Sequence, residues 1–266
     1  MDRQEVRRVY RAALLASALS WLPLLIRPEL IAAHVHDWRR ALTVNSNGTL
    51  VLGWFLMLAA MMAPVLIPPI CYVRSRSFAR RRGRSVALFV CGYAAVWTVA
   101  APLLLIIEAA ARTLSPRPYL TVAALILVAL AWQCSPIKQI CLNRCHANGD
   151  IAAFGIEADL SAVRFGFEHG FWCAGSCWAL MLLPPLVPQA HLLAMAVVTM
   201  LVFSDRLARP RLPNWRRLIR AAHLMSCMPA RDWVDDCCDL LYEYYPEKFE
   251  YQGDAANRAL ISLARR

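Results

Sequence analysis

Charge is what this chain is short of. Asp, Glu, Lys and Arg make up 18% of its 266 residues, where a soluble domain carries roughly a quarter. The deficit is local: apolar runs, in which histidine and carboxylate are nearly absent, alternate with short charged stretches. That excludes an ordinary soluble globule and describes a chain that crosses a membrane several times. Nucleotide machinery is lacking as well, since there is no Gly-rich phosphate loop and no dinucleotide fingerprint. Neither a nucleophile elbow nor an H-E-x-x-H zinc motif occurs, so no catalytic motif argues for an enzyme.

What is present is apolar: 59% hydrophobic residues and a mean hydropathy of +0.43. A bilayer takes about 20 apolar residues to cross as a helix. Six segments are expected to do so, near Ala12–Ile26, Thr49–Val73, Ser85–Ile107, Leu120–Gln133, Gly166–Val187 and Ala190–Phe203. The first follows Arg7, Arg8 and Arg11 and precedes Arg27-Pro28-Glu29 rather than a small-x-small cleavage site, which reads as a retained signal-anchor. The expected fold is therefore an all-α polytopic bundle over residues 1–206, followed by a peripheral helical tail over residues 207–266.

The net charge of +11 sits between and beyond the apolar runs. Arg3, Arg7, Arg8 and Arg11 precede the first run, and "RSRSFARRRGR" (Arg74 to Arg84) joins the second to the third. Lys138, Arg144 and Arg164 lie between the fourth and fifth, and "RLARPRLPNWRRLIR" follows the sixth. With six spans all four regions fall on one side, which the positive-inside rule makes cytoplasmic. Placed there, the arginines orient the bundle against the bilayer, and nucleic acid is not an expected partner. The expected location is a bacterial inner membrane with both termini in the cytoplasm.

The chemistry-bearing residues are sulfur. "FWCAGSCWALM" places Cys173, Cys177 and Met181 four apart, on one helix face. In the same segment Gly166, Gly170 and Ala174 form a small-xxx-small face that admits a neighbouring helix. The second segment holds Met57, Met61 and Met62, followed by Pro64, Pro68 and Pro69, which are expected to break or kink it. Cys141, Cys145 and His146 follow Pro136, a residue suited to the first turn of a helix. Lys138 and Arg144 are expected to favour the thiolate forms there.

Thiolate and thioether are soft ligands that select monovalent copper over harder ions, whereas zinc would seek the histidines and carboxylates these segments lack. The structural alternative is that Cys and Met simply pack, as small and adaptable hydrophobes do. Cys71 and Cys91 are read that way. Glu168 and His169 are read as an interfacial pair at the mouth of the fifth segment, and His34, His36 and Asp37 as a weak outer-loop cation candidate. Asn47-Gly48-Thr49 matches a glycosylation sequon and equally an Asn-Gly turn. In the tail, Trp215, Leu218, Ile219 and Ala222 oppose Arg216, Arg217 and Arg220, as on a helix lying at an anionic leaflet. Cys227, Cys237 and Cys238 follow.

Three stretches in order, "MLAAMMAPVLIPP", "WQCSPIKQICLNRCH" and "GFEHGFWCAGSCWALM", resemble the signature blocks of a bacterial family of predicted metal-binding integral membrane proteins. Some of its members are associated with copper supply to polyphenol oxidases. The resemblance spans about Trp54 to Pro210. It implies a membrane protein that handles copper(I) and passes it to a copper-dependent oxidase. By position it implies Met57, Met61 and Met62 for the methionine block, and Pro136, Lys138, Cys141 and Cys145 for the second. The third block falls on Gly170, Cys173, Gly175, Cys177 and Trp178. Ser176 stands where the family usually has the first Cys of a pair, and Asp205-Arg206 replaces the usual ending of the sixth segment. The alternatives from other classes are a membrane thiol-disulfide oxidoreductase using the two cysteine pairs, and a scaffold or assembly factor that binds no metal.

Overall fold

The structure is a computed structural model, and it describes residues 3–26, 47–114, 117–187 and 190–208. The outer-loop residues His34, His36 and Asp37 and the tail cysteines Cys227, Cys237 and Cys238 lie outside these residues, and Asn47, Gly48 and Thr49 of the sequon carry no described side chains.

Every regular element among the described residues is helical. Helix α1 covers Arg3–Ile26 and α2 Asn47–Met62; a single 3-10 turn, Pro64–Leu66, leads into α3, Ile67–Arg76. Helix α4, Arg82–Leu114, is followed by α5, Pro118–Cys134, and α6, Pro136–Cys145. Helix α7 covers Gly155–Met181 and, after a second 3-10 turn at Pro184–Leu186, α8 covers His191–Leu207.

The prolines act where the sequence places them. The second apolar run bends by 55° between α2 and α3, and just past the fourth run the chain bends by 63° between α5 and α6. Pro64 cannot donate the backbone hydrogen bond that would continue α2. Pro136 instead opens α6 at its first turn, where Ser135 caps it by accepting from the Lys138 N–H at 3.1 Å.

Among the described residues, the count of long apolar helices falls short of the six expected spans and leaves that number unconfirmed. Two helices, Arg3–Ile26 and Arg82–Thr113, are long and apolar enough to cross a membrane, and up to four spans result if each bent pair counts as one. The fifth expected segment, Gly166–Val187, is helical only to Met181 and belongs to α7, which starts at Gly155; glycine, serine, cysteine and histidine on its packing face, with Arg164 and Glu168 beside them, dilute its hydropathy. The sixth, α8, is short at 17 residues.

Helices α4 and α7 pack side by side in parallel, and their contact explains the small-residue face. A Cβ at Gly166 would lie 2.1 Å from the Phe89 carbonyl oxygen, and one at Gly92 would lie 2.4 Å from the Val163 carbonyl oxygen. At Gly170 it would meet Tyr93 O and Val96 Cβ at 3.1 Å. Only glycine allows backbones this close. The charged ends gather at one end of the pair. Arg82 at the start of α4 pairs with Glu5 of α1, and Arg81 and Arg84 pair with Asp159 of α7. At the opposite end Arg112 pairs with the buried Glu108 and reaches the Pro185 carbonyl.

Candidate metal centre

The α4–α7 contact fixes what surrounds the α7 cysteines. Cys173 and Cys177 are 0% and 2% exposed. They occupy successive turns, so their side chains are stacked on one face. The Cys177 thiol donates to the Cys173 carbonyl at 3.1 Å, and the two thiols lie within hydrogen-bonding reach of each other. From α4, the Tyr93 hydroxyl lies 3.3 Å from Cys173 Sγ. Tyr93 sits opposite Gly170, one turn before Cys173. The glycine face therefore brings the tyrosine to the sulfur.

Helix α8 brings a charge to this centre. Arg206 donates to Ser176 Oγ at 3.2 Å, and its guanidinium interacts electrostatically with Cys145, Cys173 and Cys177. Its Nε is buried without a hydrogen-bond partner. Two contacts hold this end of α8 in place: Lys138 of α6 pairs with Asp205, and His146 Nε2 lies 3.0 Å from the Arg206 carbonyl oxygen.

The residues expected to bear the chemistry divide accordingly. Met57, Met61, Met62, Cys145, Cys173, Cys177 and Met181 all belong to one buried core, which also takes in Met195 of α8. Cys141 is buried apart from that core, where a Cβ on Gly175 would lie 3.0 Å from its sulfur. Nearby Trp132 donates to the Gly175 carbonyl at 3.1 Å and packs edge-on against Trp178. His146 lies with Nδ1 2.8 Å from Leu142 O and Nε2 facing Arg206 O. In that pose neither ring nitrogen turns a lone pair toward Cys141 or Cys145. The cations expected to favour the thiolate forms here are engaged elsewhere, and burial of both thiols opposes that expectation. Lys138 is engaged with Asp205 and Arg144 lies over the Trp172 ring, so the cation beside Cys145 is Arg206. Among the described residues, no three His, Cys, Asp or Glu side chains form a ready-made metal cluster.

The Glu168–His169 pair separates. Glu168 is on the exposed side, paired with Arg164 at 2.8 Å. His169 is buried, ringed by Phe89, Phe165 and Tyr93 at about 6 Å between centroids, with Nε2 unpartnered. It continues the Cys173–Cys177 stripe by one turn.

Tyr93, His169 and Arg206 are the members of this centre that the motif reading gives no role as ligands or their partners. Each left a signal. Tyr93 and His169 are isolated polar groups in apolar runs, and Arg206 is a charge in the last turn of one.

A family model with the description "PpoB2: Copper chaperone" matches residues 51–228. The chain belongs to the PpoB2 copper chaperone family. No curated protein and no solved structure matches it. The match runs from within α2 through α8, and takes in every cysteine and methionine of the centre. Membership in this copper chaperone family agrees with the copper-supply resemblance and with the soft character of the donor set.

Proposed function

We propose that this PpoB2-family protein is an integral membrane copper chaperone that carries Cu(I) on Cys173 and Cys177 and delivers it to a copper enzyme. The observation that carries the reading is the pairing of two buried thiols, one turn apart, with the guanidinium of Arg206, whose Nε is buried. Binding one Cu(I) to both sulfurs releases two protons and leaves a bis-thiolate complex of net charge −1. In a low-dielectric interior such a charge is costly unless paired. Arg206 neutralises it. The Tyr93 hydroxyl, beside Cys173 Sγ, donates to the thiolate once its proton has left.

Cys145 is the natural exchange partner, since it shares the Arg206 field with Cys173 and lies in the same core. Sulfur-to-sulfur exchange moves the ion without redox change, as each incoming thiolate replaces an outgoing one. Met57, Met61 and Met62 offer thioether donors that do not titrate, Met61 and Met62 being 1% exposed. Cys141 and Cys145 serve as the loading or receiving pair beside the α7 thiols, with His146 holding α6 to α8.

Bilayer insertion is part of the proposal. It is supported by the two long apolar helices and the bent pairs, and by Leu15, Leu19 and Ile26 of α1, each more than 60% exposed. The test is purification without oxygen in the presence of Cu(I), followed by metal analysis. Wild type is expected to retain copper that Cys173→Ser with Cys177→Ser loses; equal copper in both proteins rejects the α7 site.

A further inference from the structure

A cavity of about 570 Å³ lies between α1, the α2–α3 bend and α4, and no cysteine lines it. Its wall is apolar, with a row of alanines, among them Ala12 and Ala16 of α1, Ala59 and Ala63 at the bend and Ala94 of α4, set among larger side chains such as Leu58 and Met62. Charge appears at one end only, where Arg8 in the early turns of α1 meets Arg74 in the last turn of α3. Neighbouring arginines are neutralised, Arg82 by Glu5 and Arg81 and Arg84 by Asp159. Arg8 and Arg74 make no ion pair among the described residues, and the Nε of Arg74 is buried without a partner.

We propose that this cavity is a binding site for an anionic phospholipid, with one acyl chain along the alanine wall and the phosphate held by Arg8 and Arg74. The inference rests on the membrane reading above. The shape decides against free phosphate, because an inorganic anion would leave the apolar wall unfilled. The charge decides against a copper entry route, because two unpaired guanidiniums repel a cation. Guanidinium matches phosphate geometry with paired N–H donors, and basic pockets between membrane helices on the inner side are suited to such headgroups. The seam is open to lipid, since the flanking face of α1 exposes Leu15 and Leu19. Tyr93 lines the inner wall, so the lipid cavity and the thiol centre share one side chain.

The test uses the full chain reconstituted in phosphatidylcholine vesicles doped with phosphatidylglycerol, then re-extracted and analysed by native mass spectrometry for retained lipid. Wild type is expected to retain phosphatidylglycerol in preference to phosphatidylcholine, and added inorganic phosphate is expected not to displace it. Arg8→Gln with Arg74→Gln is expected to lower that retention roughly tenfold or more, at about 1 kcal/mol for each cation near an anionic surface. The control Arg7→Gln with Arg80→Gln removes the same charge outside the cavity and is expected to leave retention unchanged. Ala16→Phe keeps both arginines and fills the chain path, and it is expected to abolish retention while copper content persists. No headgroup preference, full displacement by inorganic phosphate, equal loss in the control, or retention in Ala16→Phe would each overturn the site. Alkaline carbonate separates the two readings. Release of the chain from the vesicles sinks membrane insertion and this site together, whereas a retained chain without lipid preference sinks the site alone.

Discussion

Cys141 and Cys145 on α6 have the same spacing as Cys173 and Cys177 on α7, yet the two pairs occupy different surroundings. The α7 thiols are stacked in the shared core, in reach of each other, with Tyr93 on one side and Arg206 on the other. The α6 thiols diverge. Both feel the Arg206 charge, but Cys145 belongs to the shared core, whereas Cys141 is buried outside it beside Gly175 of α7. Equal spacing on a helix gives equal faces. It does not give equal partners, because what meets a face is decided by another part of the chain.

The sharpest way to break this contrast is to remove one pair at a time and count bound metal. Cys173→Ser with Cys177→Ser is expected to abolish the buried copper, while Cys141→Ser with Cys145→Ser is expected to leave it in place. Loss of copper in the second variant alone would reverse the roles of the two helices.

The next effect comes from the backbone contact that delivers Tyr93. Gly166→Ala puts a methyl group where the Phe89 carbonyl oxygen already lies, 2.1 Å from the new Cβ. Forcing α4 and α7 apart is expected to destabilise the protein by about 1–3 kcal/mol, read as a lower melting temperature in detergent. Copper retention is expected to fall with it. Gly83→Ala, with open space around its Cβ, is expected to do neither.

Arg206→Gln tests the charge rather than the ligands. It leaves both thiols in place and removes the cation that offsets the bis-thiolate, so copper affinity is expected to fall about tenfold or more in a competition titration against a Cu(I) chelator. Arg206→Lys is expected to recover part of that loss. An unchanged affinity for Arg206→Gln would make the guanidinium a structural prop for Ser176 alone.

The smallest effect is expected for the α6 pair. Cys141→Ser with Cys145→Ser is expected to slow copper transfer to an acceptor thiol several-fold at constant copper content, because it removes an exchange partner rather than the carrier. A stopped-flow measurement with a chromogenic Cu(I) acceptor reads the rate.

Much of the scaffold was legible along the chain, for local reasons. Pro64 and Pro136 mark the two bends since a proline cannot continue a hydrogen-bonded helix, and that holds whatever surrounds it. Gly166 and Gly170 mark the close contact since their spacing makes one small face. The number of spans was less legible. A buried helix such as α7 gives its packing face to small and polar residues, and its hydropathy no longer distinguishes a membrane helix from an interior one.

The fate of individual polar groups was legible least. His146 follows Cys145 directly, but its ring nitrogens face two carbonyls, one of them 60 residues away. Lys138 and Arg144 stand near the thiols in sequence and are engaged by Asp205 and Trp172 instead.

By itself the sequence determined an all-helical chain with sulfur on chosen helix faces, because periodicity and proline act within a few residues. Only the tertiary structure decided that Tyr93, Cys173 and Arg206, carried by three separate helices, share one buried centre. Desolvation and charge pairing act between segments far apart in the chain, and no local pattern records which segments will meet.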